Sequence, residues 1–417
     1  PLKSAMRKAT LRIIPFLALA YVVNFLDRTS VGFAALEMNK AIGLTATQFG
    51  WGAGILFVSY CLFEVPSNLA MYRFGARRWL ARIMITWGIA ATANALVVGP
   101  FSFYFVRFVL GAFEAGFFPG VIWYLSIWFP SQYRTRAMAA FVAAAPLSQL
   151  VGGPISVSLM QLEGTLGLAG WQWMFIIEGL PAVVLGLLCL KVLSDTPEQA
   201  AWLTPVERQS LVGALASEVH ERPKKDLLTA MKDARVLLSA LIVFCYTVGS
   251  YGLSVWLPLI LKGHDLSISM IGWLSAIPFL FATLSTFAIA HFADKTGLKI
   301  YALIFTLVLG VSGLVMSVYF QSLISAMVWV TISLCGVISA RMIFYTVPQV
   351  FLTGAAAAGG LAFINSVGSL GGFVGPFMMG WLKDATKSYD LGMLGMAGIL
   401  VVAIIATIAL KGLVKNA

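Results

Sequence analysis

Arg107 and Glu114 stand seven residues apart in the stretch RFVLGAFEAGFF, which otherwise holds only apolar and small residues. Seven residues are two helical turns, so a helix projects both side chains from nearly one face. An ionisable group at the centre of a bilayer costs roughly 2.5–3.5 kcal/mol on insertion scales. Two such groups on one face therefore read as part of a polar pocket inside a membrane protein. A second pair, Asp27–Arg28, interrupts another apolar stretch. A carboxylate beside a guanidinium is favoured in its charged form, while burial disfavours that form, and this balance lets a proton and an anion compete. Asp27 and Glu114 are accordingly the expected proton-coupling residues. Arg28 and Arg107 are the expected ligands of an anion, which a guanidinium fork can hold through two hydrogen bonds. When ionised the two acids engage the two arginines, and protonation releases them. Two acids against two bases make this site neutral, so a dianion is expected to travel with at least two protons.

The elements that must carry these residues follow from composition. The chain has 417 residues, 60% hydrophobic and 11% charged, with mean hydropathy +0.90. Soluble domains hold about 25% charged residues, so this chain is suited to lipid, and its length accommodates twelve spans of about 20 residues. We place them at about 13–36, 49–71, 79–98, 101–128, 137–162, 171–193, 236–261, 269–292, 299–320, 323–351, 356–382 and 390–413, numbered spans 1 to 12. The net charge of +11 would suggest nucleic acid, but the basic residues sit in short loops on alternate sides. They cluster at the N-terminus, after span 2 and after span 4, which puts the N-terminus in the cytoplasm. The C-terminus, with Lys411 and Lys415, falls on the same side. No nucleic-acid partner is expected. Residues 194–235 form the one long polar stretch, with Pro197, Pro205 and Pro223, and read as a cytoplasmic linker carrying amphipathic helices. Residues 1–193 and 236–417 are then two six-helix bundles. The four cysteines all lie in apolar segments without metal-ligand spacing, so no metal site is expected. The first apolar run is a full span leading into others, not a cleavable signal. The sequence contains no HExxH and no phosphate-cradling glycine loop, and no GxSxG in a strand–turn–helix setting, which argues against an enzyme.

The halves repeat without gaps at an offset of 222 residues. Phe49-Gly50-Trp51 matches Ile271-Gly272-Trp273, and Phe57 matches Phe279. Arg73-Phe74-Gly75 matches Lys295-Thr296-Gly297, Arg77 matches Lys299, and Gly153-Pro154 matches Gly375-Pro376. Parallel six-span repeats joined by a linker are the plan of transporters that rock about a site near the midplane.

With that plan the chain resembles the major facilitator superfamily over its whole length. The loop Tyr72-Arg73-Phe74-Gly75-Ala76-Arg77-Arg78, echoed by Asp294-Lys295-Thr296-Gly297, resembles that superfamily's basic loop signature, although Tyr72 stands where an acid is usual. The resemblance implies that Arg73, Asp294 and Lys295 serve the gate at the cytoplasmic end. Asn24-Phe25-Leu26-Asp27-Arg28 and Gly116-Phe117-Phe118-Pro119-Gly120 resemble the anion:cation symporter family. Phe63-Glu64-Val65-Pro66-Ser67-Asn68 and Gly371-Gly372-Phe373-Val374-Gly375-Pro376 are most similar to its tartrate and phthalate permease branch. The fold this implies is all-α, twelve spans in two pseudo-symmetric bundles. The implied function is proton-coupled import of a small carboxylate or dicarboxylate, by a monomer in a bacterial inner membrane, with no cofactor besides the proton. Export or exchange of anions or drugs on the same fold, or sensing without transport, are the alternatives.

Further substrate contacts are sought among polar residues at similar depth. Arg341, near the middle of span 10, could clamp a second carboxylate from the C-terminal half, or it could snorkel or pair with a backbone carbonyl or a carboxylate across the interface. Asn365 on span 11 resembles a family substrate ligand. Tyr60, Tyr246, Tyr251 and Trp256 could present polar tips, and Gln149 is a candidate of the same kind. Glu64 and Glu178 read as structural, and His264 and His291 as loop residues. Gly111, Gly116, Gly152-Gly153 and Gly371-Gly372 permit close helix approach, and Pro119, Pro154, Pro278 and Pro376 permit kinks.

Overall fold

The computed structural model describes residues 1–217, 232–320, 322–348, 351 and 354–414. Among these, eleven helices are long and apolar enough to cross a membrane. The twelfth span, Ala76–Ala93, fails that test on composition, because Arg77, Arg78 and Arg82 fall in its first two turns. The other spans are Leu2–Ala41, Ala46–Phe74, Pro100–Trp128, Ser131–Met160, Gly170–Val192, Ala234–Lys262, Ile268–Thr296, Lys299–Tyr319, Leu323–Phe344, Gly354–Thr386 and Asp390–Leu413.

Local chemistry fixes where these helices start and stop. Thr45 caps span 2 in a capping box with Gln48, and Ser267 and Ser322 cap spans 8 and 10. Spans 2 and 3 turn through Gly75 at φ 87°, and spans 8 and 9 through Gly297 at φ 72°. Those glycines are repeat mates 222 residues apart, so both halves solve the same tight turn with the residue that tolerates positive φ.

Several helices depart from the expected bounds. Span 1 starts at Leu2, so its basic leader is helical and packs on a linker helix, Pro205–Ala216. Ser4 and Lys8 both donate to Glu207 there, at 2.7 and 2.8 Å. The remaining linker segment, 218–231 with Pro223, lies outside the described residues, as does Lys415. Span 4 is broken immediately after Glu114: Ala115 is extended at ψ 133° and Gly116 is left-handed at φ 87°. Span 5 is interrupted at Ala143, where Pro146 cannot donate to the Val142 carbonyl. Span 10 ends at Phe344, four residues before Pro348, and the expected end at 351 is not reached. Arg341 therefore sits in the last turn of its helix, not near the middle.

The halves meet at the end remote from the termini. Span 2 crosses span 11 at Gly50, where a Cβ would run into the Pro376 carbonyl oxygen, and span 8 crosses span 5 at Gly272, where it would strike Val157 and the Gly153 carbonyl. Gly50 and Gly272 are again repeat mates. Two polar contacts cross the halves beside them. Asp384 of span 11 accepts from the Thr47 backbone N–H at 2.7 Å and from that of Ala46 at 3.3 Å, at the start of span 2. Lys262 of span 7 donates to the Leu36 carbonyl near the end of span 1. One apolar core runs through this end from Phe33, Phe49 and Trp171 into Trp256, Ile271 and Met379. Toward the termini the N-terminal half keeps its own core, around Trp87, Tyr124, Trp128 and Phe141.

Candidate functional site

A cavity of about 90 Å³ lies between the halves. On four of the spans it touches, its residues stand nearer the termini end than the sealing contacts: Arg28 before Gly32, Tyr60 after Gly50, Tyr251 before Val255 and Asn365 before Pro376. Six expected substrate contacts line it together: Arg28, Tyr60, Tyr246, Tyr251, Arg341 and Asn365. Two do not. Gln149 is half-buried on span 5 away from the cavity wall, and Arg107 is buried behind it. Trp256 lies at the sealed end, donating to the Pro376 carbonyl oxygen at 3.0 Å.

Arg28 is held from behind by Glu114. Its Nε donates to Glu114 Oε1 at 2.5 Å, and Nη2 pairs with the same oxygen. The guanidinium lies over the rings of Tyr60, Phe57 and Phe25, at 5.0, 5.7 and 5.8 Å from their centroids. Nη1 is 3.4 Å from the Tyr251 hydroxyl. Glu114 is completely buried, and its Oε2 has no partner. The break in span 4 leaves Glu114 at a helix end, and the close packing of Gly116 on Ser67 of span 2 fixes that end in place.

The other two charges of the expected quartet are not paired with Arg28 or with each other. Asp27 accepts from Trp87 Nε1 at 2.6 Å. Arg107, 1% exposed, reaches the Ala53 carbonyl oxygen at 3.4 Å, while its Nε and Nη1 have no partner. Geometry explains the split. Asp27 and Arg28 are neighbours in sequence, so a helix turns them about 100° apart, one toward span 3 and one toward the cavity. Glu178 of span 6 is buried in the same half and accepts from Ser156 Oγ at 2.7 Å.

The C-terminal half faces the cavity with a different chemistry. Arg341 lines it, and no carboxylate forms an ion pair with Arg341 among the described residues. Tyr345 donates to Asn365 Oδ1 at 2.5 Å, and the Tyr246 hydroxyl is buried without a partner. Thr247, Ser250 and Ser369 complete a wall rich in hydroxyl groups.

The gate residues expected at the termini end stand apart. Arg73 is exposed with its guanidinium over Phe74, and Asp294 and Lys295 are exposed without an ion pair among the described residues. Beside them Asp195 accepts from the Arg77 backbone N–H at 2.8 Å and lies 4.0 Å from its guanidinium. That linker acid had no signal in the loop pattern.

Three cavity residues were missed from sequence although a signal existed. Glu64, read as structural, stands one turn after Tyr60. Tyr345 stands four residues after Arg341, and Tyr21 two turns before Arg28; all three line the cavity. Each shares a helical face with a residue already assigned.

Comparison with known proteins adds the family. Residues 17–376 match the model of the Major Facilitator Superfamily. A protein of Agrobacterium vitis named "Putative tartrate transporter" is 47% identical over 408 residues, covering 97% of this chain and 94% of that protein. A "Quinolone resistance transporter" of Acinetobacter baumannii is 39% identical over 412 residues, covering 97% and 94%. Among solved structures, a bacterial homolog of the human lysosomal transporter Spinster, described as inward-facing and unoccupied, superposes with a TM-score of 0.83 at 17% identity. It covers 100% of this chain and 98% of that one, a likeness of fold alone. With a family match over most of its length, a cavity between two repeated halves and multiple membrane spans, this chain belongs to the Major Facilitator Superfamily of membrane transporters.

Proposed function

We propose that the protein imports a small organic dianion, with tartrate as the model substrate, together with protons. The observation that carries this reading is the pair of guanidinium groups, Arg28 from one half and Arg341 from the other, lining a single cavity. Two forks on opposite walls suit a molecule with a carboxylate at each end. The tartrate name of the relative at 47% identity supports the same class.

The steps follow from the contacts. With the site empty, Glu114 occupies Arg28. A proton on Glu114 removes its charge and frees the guanidinium, and one substrate carboxylate takes its place while the other engages Arg341. Asp27, held by Trp87, is the second proton site. Arg107 balances the buried acids from behind and does not touch substrate. The bundles 1–193 and 236–417 rock about the bound anion, with 194–235 as the tether, and Arg73, Asp294 and Lys295 come together when the termini end closes. The membrane is the bacterial inner membrane, with both termini cytoplasmic by the distribution of basic loops, so the cavity faces the cytoplasm here. The unit that works is the monomer.

Uptake of labelled tartrate into proteoliposomes under an imposed pH gradient tests this. Accumulation is expected with the interior alkaline, with no net negative charge entering. Glu114→Gln protein should still bind tartrate but only equilibrate it, reaching an inside-to-outside ratio near one. Accumulation indifferent to the gradient sinks the coupling. A second reading, export or exchange of organic anions or drugs, is favoured by the quinolone resistance relative. It predicts efflux of labelled substrate against a gradient in the same vesicles.

A further inference from the structure

We propose that Glu64 selects hydroxylated dicarboxylates over plain ones by accepting hydrogen bonds from the substrate's hydroxyl groups. This deepens the dianion reading and rests on it.

The reasoning is an inventory of donors and acceptors. The guanidinium groups of Arg28 and Arg341 donate only, which suits carboxylates. A substrate hydroxyl brings a proton of its own and needs an acceptor. Of the strong acceptors near the cavity, Glu114 is engaged by Arg28 through Oε1 and does not line the cavity wall, and Asn365 Oδ1 is taken by Tyr345. Glu64 lines the same cavity, and its Oε2 is buried with no hydrogen-bond partner. No Lys, Arg or His forms an ion pair with it among the described residues.

A structural carboxylate spends at least one oxygen on a neighbouring helix, as Glu178 does through Oε1 on Ser156 while its Oε2 stays unpaired. Glu64 does not. A buried carboxylate oxygen left unpaired is costly, and a hydrogen bond to a charged acceptor is about twice as strong as a neutral one. Position agrees with the role. Glu64 is one turn, about 5.4 Å along the axis, from Tyr60, whose ring lies 5.0 Å from the Arg28 guanidinium. An anion held at Arg28 thus brings the carbon next to its carboxylate toward Glu64. A hydroxyl there satisfies Oε2. An acid lacking it leaves the oxygen unpaired and sets two negative charges close together, the asymmetry by which polar sites reject analogues that lack a hydroxyl.

The test is calorimetric titration of the purified full-length protein with succinate, malate and tartrate, which differ only in hydroxyl count. Wild-type affinity is expected to rise from succinate to tartrate by about ten- to a hundredfold, the effect of one or two charged hydrogen bonds. In Glu64→Ala the ratio collapses to within about threefold, tartrate weakening and succinate tightening. Glu64→Gln, which keeps the shape and a neutral acceptor, falls between them and guards against misfolding of the alanine variant. Opposite signs for the two acids are what a purely structural role would not produce. An unchanged ratio in both variants, or equal weakening of all three acids, overturns the role of Glu64 alone. So does wild-type protein that binds the three acids equally. Wild-type protein that binds none of them overturns the dianion reading first, and this proposal with it.

Discussion

At the offset of 222 residues Glu114 falls on Gly336 and Arg107 on Trp329. In the N-terminal half those positions hold buried charge, joined by Asp27 and Glu178. In the C-terminal half a Cβ at Gly336 would run into the Gly310 nitrogen and the Thr306 carbonyl oxygen, so spans 9 and 10 touch backbone to backbone where the other half keeps a carboxylate. One repeated frame has been filled in two ways. The first half spends interior volume on groups that can exchange protons; the second packs tightly and shows the cavity mainly hydroxyl groups and one arginine. The comparison teaches that a shared backbone plan fixes where a site sits, while the chemistry of each wall is assigned separately.

The largest test of that contrast removes one arginine from each half. Arg28→Ala leaves Glu114 buried without its partner, so it should cost about 3–5 kcal/mol of stability as well as tartrate binding. Thermal unfolding of the purified protein together with calorimetry measures both. Arg341→Gln strands no carboxylate. It should lower dianion affinity by about 2 kcal/mol, roughly thirtyfold, with little change in melting temperature. Equal destabilisation by the two would erase the distinction between the walls. Next, Gly336→Ala overpacks the contact between spans 9 and 10 and should cost about 1–3 kcal/mol, read by thermal unfolding, with the pH dependence of uptake unaltered. The smallest effect belongs to the linker. Lys8, the Thr204 N–H and Ser4 together hold the Glu207 carboxyl down to about 2, from the usual 4.5. A depressed acid contributes stability that is present above the ordinary value and lost as pH falls toward the depressed one. Protection of Pro205–Ala216 against hydrogen exchange, taken relative to the intrinsic rate at each pH, should therefore fall between about pH 4.5 and 2, and Lys8→Ala should narrow that window.

Span number and the repeat were legible because both depend on composition and period, which the bilayer enforces. Span 12 runs Asp390–Leu413, matching its sequence-based bounds, since nothing but lipid length decides it. The helix breaks were less legible. Gly116 was read as a packing residue, and only its left-handed φ shows that span 4 stops beside Glu114. Pairing was least legible. Asp27 found Trp87, 60 residues away, and Asp195 found Arg77, 118 residues away. Such partners depend on which helix faces which, and no local pattern encodes that. The place of Glu64 in the cavity was hard to read for a related reason: depth along a helix does not reveal it, whereas the face it shares with Tyr60 does.

Two polar contacts cross the sealed end, the Asp384 cap on the start of span 2 and the Lys262 bond to the Leu36 carbonyl of span 1, and under the proposed rocking they bear on the speed of turnover. The polar groups they release are met at once by water at the membrane surface, so losing these bonds adds little to the barrier. The dry crossings at Gly50 and Gly272 have no such substitute, because parting them exposes apolar surface. Opening this end should therefore carry the temperature signature of hydrophobic exposure, and the transport rate should answer to warming far more than to salt.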